Sequence, residues 1–346
     1  MTFRPRVVFE LAKLNFREFL RTPEAVFWTY GFPILMAVVL GLAFQSGELP
    51  KARVVVPDGV HADAVATALQ RSDRVLVTRL PEQDALRALH RGKFDLMVGG
   101  SAAEPVFAID PTRPEADTAR MVVDDALQTA AGRRDAVTPR IDPVTAPGSR
   151  YIDFLIPGLI GLNLLGAGMF GVGFNLVNMR ERHLLRRLIV APMGRFEFLA
   201  AFLGSRLLLV VPESLIVAAF GVLAFGVPFE GSLFLLLFAV LLGGIAFSGL
   251  GLLIAARPRT TEGVGGMMNL IMIPMWLLGG AFFSNERFPD WIQPVVQALP
   301  LTQMNEALRA ILLTGDGIGA VALPLAYLAA FGVASMWLAV RIFRWT

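Results

Sequence analysis

The sequence predicts a mainly α-helical membrane protein. Six transmembrane helices are expected, with a small α/β extracytoplasmic domain inserted between the first and the second. Three observations carry this reading. Hydrophobic residues make up 55% of the 346 residues and charged residues only 17%, against roughly 45–50% and about 25% in an ordinary soluble domain. The apolar residues gather in nearly charge-free runs of the length needed to cross a hydrocarbon layer of ~30 Å. One polar stretch, residues 46–150, interrupts them. With a mean hydropathy of +0.61, so much apolar surface cannot be buried in a water-soluble core of this length. A disordered chain, a collagen-like chain and most soluble enzymes are thereby excluded.

Cysteine is absent, which rules out disulfide frameworks and Cys-ligated metal sites. The three histidines, His61, His90 and His183, are far apart in sequence. No metal and no cofactor are therefore expected in this chain. Only three of its 31 basic residues are lysine, an arginine bias that need not mean nucleic-acid binding, and no nucleic-acid partner is expected.

Residues 1–24 read as an amphipathic helix on the cytoplasmic membrane surface. Val8, Leu11, Leu14 and Phe19 alternate with Arg6, Lys13, Arg17 and Arg21 at near-helical spacing. Residues 25–45 carry no charge and form the first span. The long leader and the lack of a small-residue cleavage site favour an uncleaved anchor over a signal peptide. In 46–150, β-like runs at 53–56, 75–78, 94–98 and 106–109 alternate with helical patterns at 61–70, 82–90 and 112–128. That alternation predicts a small α/β domain, ending in a linker that holds Pro139, Pro143 and Pro147. The remainder, 151–346, is a five-helix transmembrane domain, with spans near 154–177, 198–225, 232–256, 264–284 and 318–342. Residues 285–317 hold Pro289, Pro294 and Pro300 and read as external broken helices.

Basic residues in short loops set the orientation. Five fall in the leader and five after the second span: Arg180, Arg182, Arg186, Arg187 and Arg195. The opposite side has only Arg287 and Arg309 in 285–317 and none in 226–231. Both termini are expected in the cytoplasm and residues 46–150 outside it.

Two motifs lose their first appeal in context. Gly166-Ala-Gly168-Met-Phe-Gly171 matches G-x-G-x-x-G. A dinucleotide fingerprint must follow a strand and open a helix. This one lies inside an apolar span, where small residues let helices approach closely. No G-x-x-x-x-G-K-[ST] occurs, since Gly92-Lys93 precedes Phe94, so a P-loop ATP site in this chain is not expected. Asp110-Pro-Thr-Arg113 and Asp124-Asp125 are better explained by turn and capping chemistry than by a metal or carbohydrate site.

The loop at 180–192 is the most informative stretch. Leu184, Leu185, Leu188 and Ile189 share a helical face ringed by Arg180, Arg182, Arg186 and Arg187, and Pro192 ends the helix. Periodicity leaves two readings open: topology control with lipid headgroup contact, or a surface helix that docks on a cytoplasmic partner. Arg180-Glu181-Arg182, Leu185, Arg187, Leu188 and Ala191-Pro192 resemble the coupling-helix signature of type-2 ABC exporter permeases. Gly279-Gly280, Pro289-Asp290-Trp291, Pro300-Leu301-Thr302 and Glu306-Ala307-Leu308-Arg309 resemble the same family, as does the order of spans. His183-Leu184 depart from it, standing where the family usually has Gly-Thr.

The resemblance implies a transport subunit with no ATP site of its own. It would pair with a second permease subunit, as homo- or heterodimer, and with a cytoplasmic P-loop ATPase that binds ATP and Mg. Its place would be the bacterial inner membrane and its cargo a hydrophobic or amphipathic small molecule, drug-like or lipid, moved outward. Coupling would fall to Arg180, Glu181, Arg182, Leu185, Arg187, Leu188 and Pro192. The alternative is a membrane-anchored receptor or assembly factor that works through 46–150.

Charged groups within spans are functional candidates. Arg206 and Glu213 stand seven residues apart, about 10 Å along a helix, too far for a direct pair unless Pro212 kinks it. Arg206 is read as snorkelling, and Glu213 either lines a substrate path or caps polar groups. Asn163 and Asn269 are expected to make interhelical hydrogen bonds. With Asn269 and Trp276, Glu213 and Arg206 form the candidate translocation path, and Pro274-Met275-Trp276 marks a broken span. Catalysis by the chain itself is not expected.

Overall fold

The computed structural model describes residues 21–44, 51–102, 104–133, 148–184 and 195–342, with positions 10, 13 and 17. The leader helix expected at 1–24, most of the linker and positions 185–192 fall largely outside the described residues. The chain divides into two compact units, Ser46–Val144 and the combination of Met1–Gln45 with Thr145–Thr346.

In the smaller unit, strands β1 (Ala52–Pro57), β2 (Val75–Leu80), β3 (Leu96–Gly100) and β4 (Pro105–Ala108) form one sheet in the order β2-β1-β3-β4. β1 pairs in parallel with β2 and β3, while β4 returns antiparallel to β3. Val54, Val55 and Val56 are all buried, so β1 is covered on both faces, as a central parallel strand must be. The helices Ala62–Gln70, Glu82–His90 and Pro114–Ala130 are α2, α3 and α4 of the chain. Val65 and Leu69 of α2 and Val123 and Leu127 of α4 complete the core with Val54, Leu96 and Val98. The Asp110 carboxylate accepts from Thr112 N at 3.0 Å and Thr112 Oγ1 at 2.7 Å. These bonds hold its pKa below the usual carboxylate value and are those of a turn. Asp124 and Asp125 bond Gln128 and Arg133. Among the described residues no acidic or His cluster of metal-binding geometry occurs.

The described secondary-structure elements of the larger unit are all helices. α1 runs from Pro23 through a π turn at Phe27–Gly31 into Phe32–Ala43. α5 (Tyr151–Glu181) contains a second π turn at Met169–Phe174. α6 (Arg195–Phe225), α7 (Leu233–Ala255) and α8 (Thr261–Leu278) follow. Short helices α9 (Gln293–Gln297) and α10 (Pro300–Leu312) precede α11 (Ile318–Ile342).

Four helical stretches among the described residues are long and apolar enough to cross a membrane: Tyr151–Glu181, Phe202–Phe225, Leu233–Ala255 and Ile318–Ile342. The other two expected spans are shorter. The apolar part of α1 is Phe27–Ala43. α8 ends at Leu278, well before the expected 284. Gly280, with φ of +68°, takes the left-handed conformation that breaks a helix.

α7 is the centre of this unit and packs against α5, α6, α8, α10 and α11. Backbones, not side chains, set these contacts. A Cβ on Gly168 of α5 would lie 2.3 Å from the Phe247 carbonyl carbon, and one on Gly173 2.5 Å from Gly251 O. Gly249 meets Gly332 of α11 in the same way, at 3.0 Å from its carbonyl oxygen. Hydrocarbon gives helices no hydrophobic drive to associate, so close packing of small residues does the work. Of the glycine motif in α5, Gly168 is a close-contact residue, Gly171 makes room for Arg206, and Gly166 has nothing within 4 Å.

That contrast is testable by thermal unfolding in detergent. Gly168→Val should lower stability by about 1–3 kcal/mol, the usual cost of overpacking. Gly166→Ala should be neutral or stabilising by up to ~1 kcal/mol, since a helical glycine is replaced in open space. Equal melting temperatures for the two variants would contradict the packing.

Candidate functional site

The candidate residues occupy three places in the larger unit. The first is the end of α5. The Arg180 side chain is buried, with the residue 7% exposed. Its Nη1 donates to Ala255 O at 2.9 Å and to Pro258 O at 2.5 Å. It thus satisfies carbonyls at the C-terminal end of α7, which otherwise have no intrahelical donor. Glu181 Oε2 accepts from Thr261 N at 2.9 Å, so a carboxylate sits on the first turn of α8, where the helix dipole favours it. Arg182 is exposed. Arg180 and Glu181 therefore join the end of α5 to the turn between α7 and α8. Leu185, Arg187, Leu188 and Pro192 lie outside the described residues.

His183, directly after this junction, has φ of +56°. A left-handed conformation costs a non-glycine residue about 1–2 kcal/mol, though His tolerates it better than most. This is the position at which the resemblance led one to expect glycine.

The second place lies within the helices. Arg206 Nη2 donates to Glu213 Oε2 at 3.3 Å, and Nη1 stands 3.3 Å from Oε1. The expectation that the two were too far apart is corrected. The rise between their Cα atoms separates the backbones, but the arginine and glutamate side chains reach toward each other and together bridge it. Nor does Arg206 snorkel. Its side chain is 11% exposed, and its Nε donates to Ala167 O at 3.2 Å, beside the π turn of α5. Gly171 permits this approach, since a Cβ there would lie 2.5 Å from that Nε. Asn163 Nδ2 donates to Thr29 O in the π turn of α1 at 3.2 Å, the expected interhelical bond. Tyr30, from the same turn, is within electrostatic reach of Glu213 and Arg206. Both π turns thus border partly buried polar side chains, and such turns are frequent at functional sites.

Asn269 and Trp276 do not join them. They lie on the exposed face of α8 with Met267, Leu270, Ile273 and Leu277. Among the described residues Asn269 makes no interhelical hydrogen bond, which corrects that expectation. The residues proposed together as a path therefore form two separate groups in one chain.

The third place was only partly legible. Asn305 Nδ2 donates to Gly279 O at 2.8 Å, and Arg309 donates to Gly280 O. The Arg309 guanidinium carbon also stands 3.6 Å over the Phe154 ring. Burial pushes the Arg309 pKa down to about 10, with Glu306 opposing the shift, so it stays charged at neutral pH. Glu306 in turn accepts from Asn285 Nδ2 at 3.3 Å. The end of α8 is held by side chains of α10. Asn305 carried no signal in the sequence, because its partner is a backbone carbonyl.

Comparison with known proteins bears on this arrangement. Residues 112–341 match the family model described as ABC-2 family transporter protein. The chain belongs to that family. It is 27% identical over 167 residues to the probable multidrug ABC transporter permease YbhR of Escherichia coli K12, covering 48% of this chain and 45% of the relative. It is 30% identical over 177 residues to the inner membrane transport permease YhhJ of the same strain, covering 50% and 47%. To the inner membrane transport permease YadH of that strain it is 24% identical over 163 residues, covering 47% and 63%. The matched segments span about half the length of the first two relatives. This ABC-2 family chain is thus a membrane protein similar to transport permeases.

The Arg206–Glu213 pair gives a quantitative test. Removing one partner leaves a buried charge uncompensated, so Glu213→Gln or Arg206→Met alone should destabilise by about 3–5 kcal/mol. The double variant Arg206→Met/Glu213→Leu should cost far less than the sum of Arg206→Met and Glu213→Leu measured singly. Additive losses in a thermal-unfolding cycle would show that the two side chains act independently.

Proposed function

We propose that this chain is the membrane-spanning permease subunit of an ATP-driven exporter. It moves a hydrophobic or amphipathic small molecule, drug-like or lipid, from the cytoplasm or inner leaflet outward. It crosses the inner membrane six times, with α1 and α8 as the first and fifth spans. Both termini are cytoplasmic, and residues 46–150 lie outside. A separate cytoplasmic P-loop subunit binds ATP and Mg and hydrolyses the nucleotide, and two permease subunits pair to enclose the path.

The observation that carries this reading is the junction at the end of α5. Arg182 and the basic, apolar segment after it are the docking surface for the ATPase. Arg180 is buried and Glu181 lies at the surface beside it, and both connect that docking surface to the α7–α8 turn. ATP binding between the partner subunits displaces the docking segment, and the junction passes that displacement to the base of α8. Differential stabilisation of one helix packing over another is all that ATP has to supply. The exposed face of α8, with Asn269 and Trp276, lines the path between two permease subunits. Glu213 and Arg206 hold α6 against α5 behind it. The names of YbhR, YhhJ and YadH support a transport role, and the first supports a drug-like cargo.

The test uses the full chain co-expressed with a candidate P-loop ATPase subunit. Charge reversal at Arg182 and Arg187 should reduce co-purification of that ATPase at least tenfold without lowering the amount of chain in the membrane. Arg180→Ala should leave the ATPase bound yet lower dye efflux per ATP hydrolysed. ATP hydrolysis by the purified chain alone, or unchanged capture after charge reversal, would overturn the division of labour.

A further inference from the structure

α11 buries Val321, Leu325, Leu328, Gly332, Ser335 and Ala339, a stripe at helical spacing that packs on α7. Beside that stripe an apolar groove of about 560 Å³ runs between the two helices, within the range of small-molecule sites. Ile245 of α7 and Val333, Met336, Trp337 and Val340 of α11 line it, Gly332 floors it, and Arg341 ends it. From Gly332 to Arg341 the helix rises about 14 Å, close to half of a ~30 Å hydrocarbon layer. The groove is therefore one leaflet deep and opens at the end of the helix that carries the charge.

Arg341 is the one charged residue in this lining. Its guanidinium carbon stands 4.0 Å over the Trp337 ring. Among the described residues it has no carboxylate partner. A guanidinium can rest on an indole and still offer its N–H donors to phosphate oxygens in pairs. Trp beside Arg at a helix end is also the side-chain pairing of a membrane interface.

We propose that this groove is a binding site for one anionic phospholipid from the leaflet at the C-terminal end of α11. An acyl chain lies along Ile245, Val333, Met336 and Val340, and the phosphate is held by Arg341 over Trp337. Arg341, the one cation among the described lining residues, selects a headgroup with net negative charge. A second copy of the chain is a poorer occupant, because it would bury Arg341 with no counter-charge. The inference needs α11 to cross the bilayer, but it does not need export or an ATPase partner.

The test is native mass spectrometry of the delipidated full chain in detergent, titrated with phosphatidylglycerol or phosphatidylcholine. One phosphatidylglycerol per chain should bind more tightly than phosphatidylcholine. Arg341→Gln should weaken it at least about fivefold, the effect expected of one interfacial cation, and abolish the headgroup preference. Arg341→Lys should fall between, keeping charge without the planar fork. Val333 is 69% exposed, so Val333→Trp fills the groove without disturbing the core and should weaken binding at unchanged charge. Melting temperatures within a few degrees of wild type confirm that the variants are folded. Equal binding of the two lipids, or an affinity unmoved by Arg341→Gln, would overturn the site. So would a dimer that Val333→Trp dissociates while lipid binding stays constant.

Discussion

Backbone carbonyls at helix ends are the constraint on which the larger unit depends. In hydrocarbon an unbonded carbonyl has no water to turn to, and each helix end leaves several without an intrahelical donor. The chain answers repeatedly with arginine from a neighbouring element. Arg150 donates to Phe225 O and Gly226 O at the end of α6. Arg180 does the same for Ala255 and Pro258 after α7. Arg309 donates to Gly280 O after α8, and Arg206 to Ala167 O beside the π turn of α5. Glycine contacts decide how near the helices lie, and these guanidinium bonds decide how their ends are joined.

α8 shows what such joining achieves. Its first turn accepts two capping groups, Glu181 Oε2 on Thr261 N and Thr260 Oγ1 on Gly263 N. Its last carbonyls are held through Asn305 and Arg309 of α10. Between these clamps it rests on the core through Val264, Met268, Met272 and Met275. Methionine is unbranched and adapts its shape, so the seam can slide more easily than one built from β-branched residues. Fastened ends with a compliant seam suit an element moved as a whole.

Much of this was legible in the sequence, for physical reasons that also mark where legibility ended. Apolar runs reveal span-length helices such as Leu233–Ala255, because every residue of the run reports the same solvent. Alternating strand and helix patterns locate β1 to β4 to within about two residues of their observed ends. Chemistry that pairs a side chain with a distant carbonyl leaves no trace in residue identity, which is why Asn305 and Arg150 went unread. Helix rise alone separates Arg206 from Glu213, and only the reach of both side chains closes the gap. Asn269 was read as bonded inside the bundle because polarity in a span shows that a partner is needed without showing where it comes from. Glu262, Asn269 and Pro274 also dilute α8, so its sequence looks less like a span than the uninterrupted apolar run of α7.

The skewed basic composition gains a structural sense from the same bonds. Three lysines stand against 28 arginines, and nothing in the composition alone separates codon bias from use. The observed roles separate them at four positions. Arg150 bridges two carbonyls and the Asp153 carboxylate at once, and Arg180 bridges two carbonyls from one nitrogen at the end of a buried side chain. Arg206 joins a carbonyl to a carboxylate, and Arg309 adds an aromatic face. A lysine offers a compact, strongly hydrated charge with no plane to stack and no fork to divide between acceptors. At these sites the guanidinium serves as a multi-point connector between segments, and its positive charge is the property the fold must then balance.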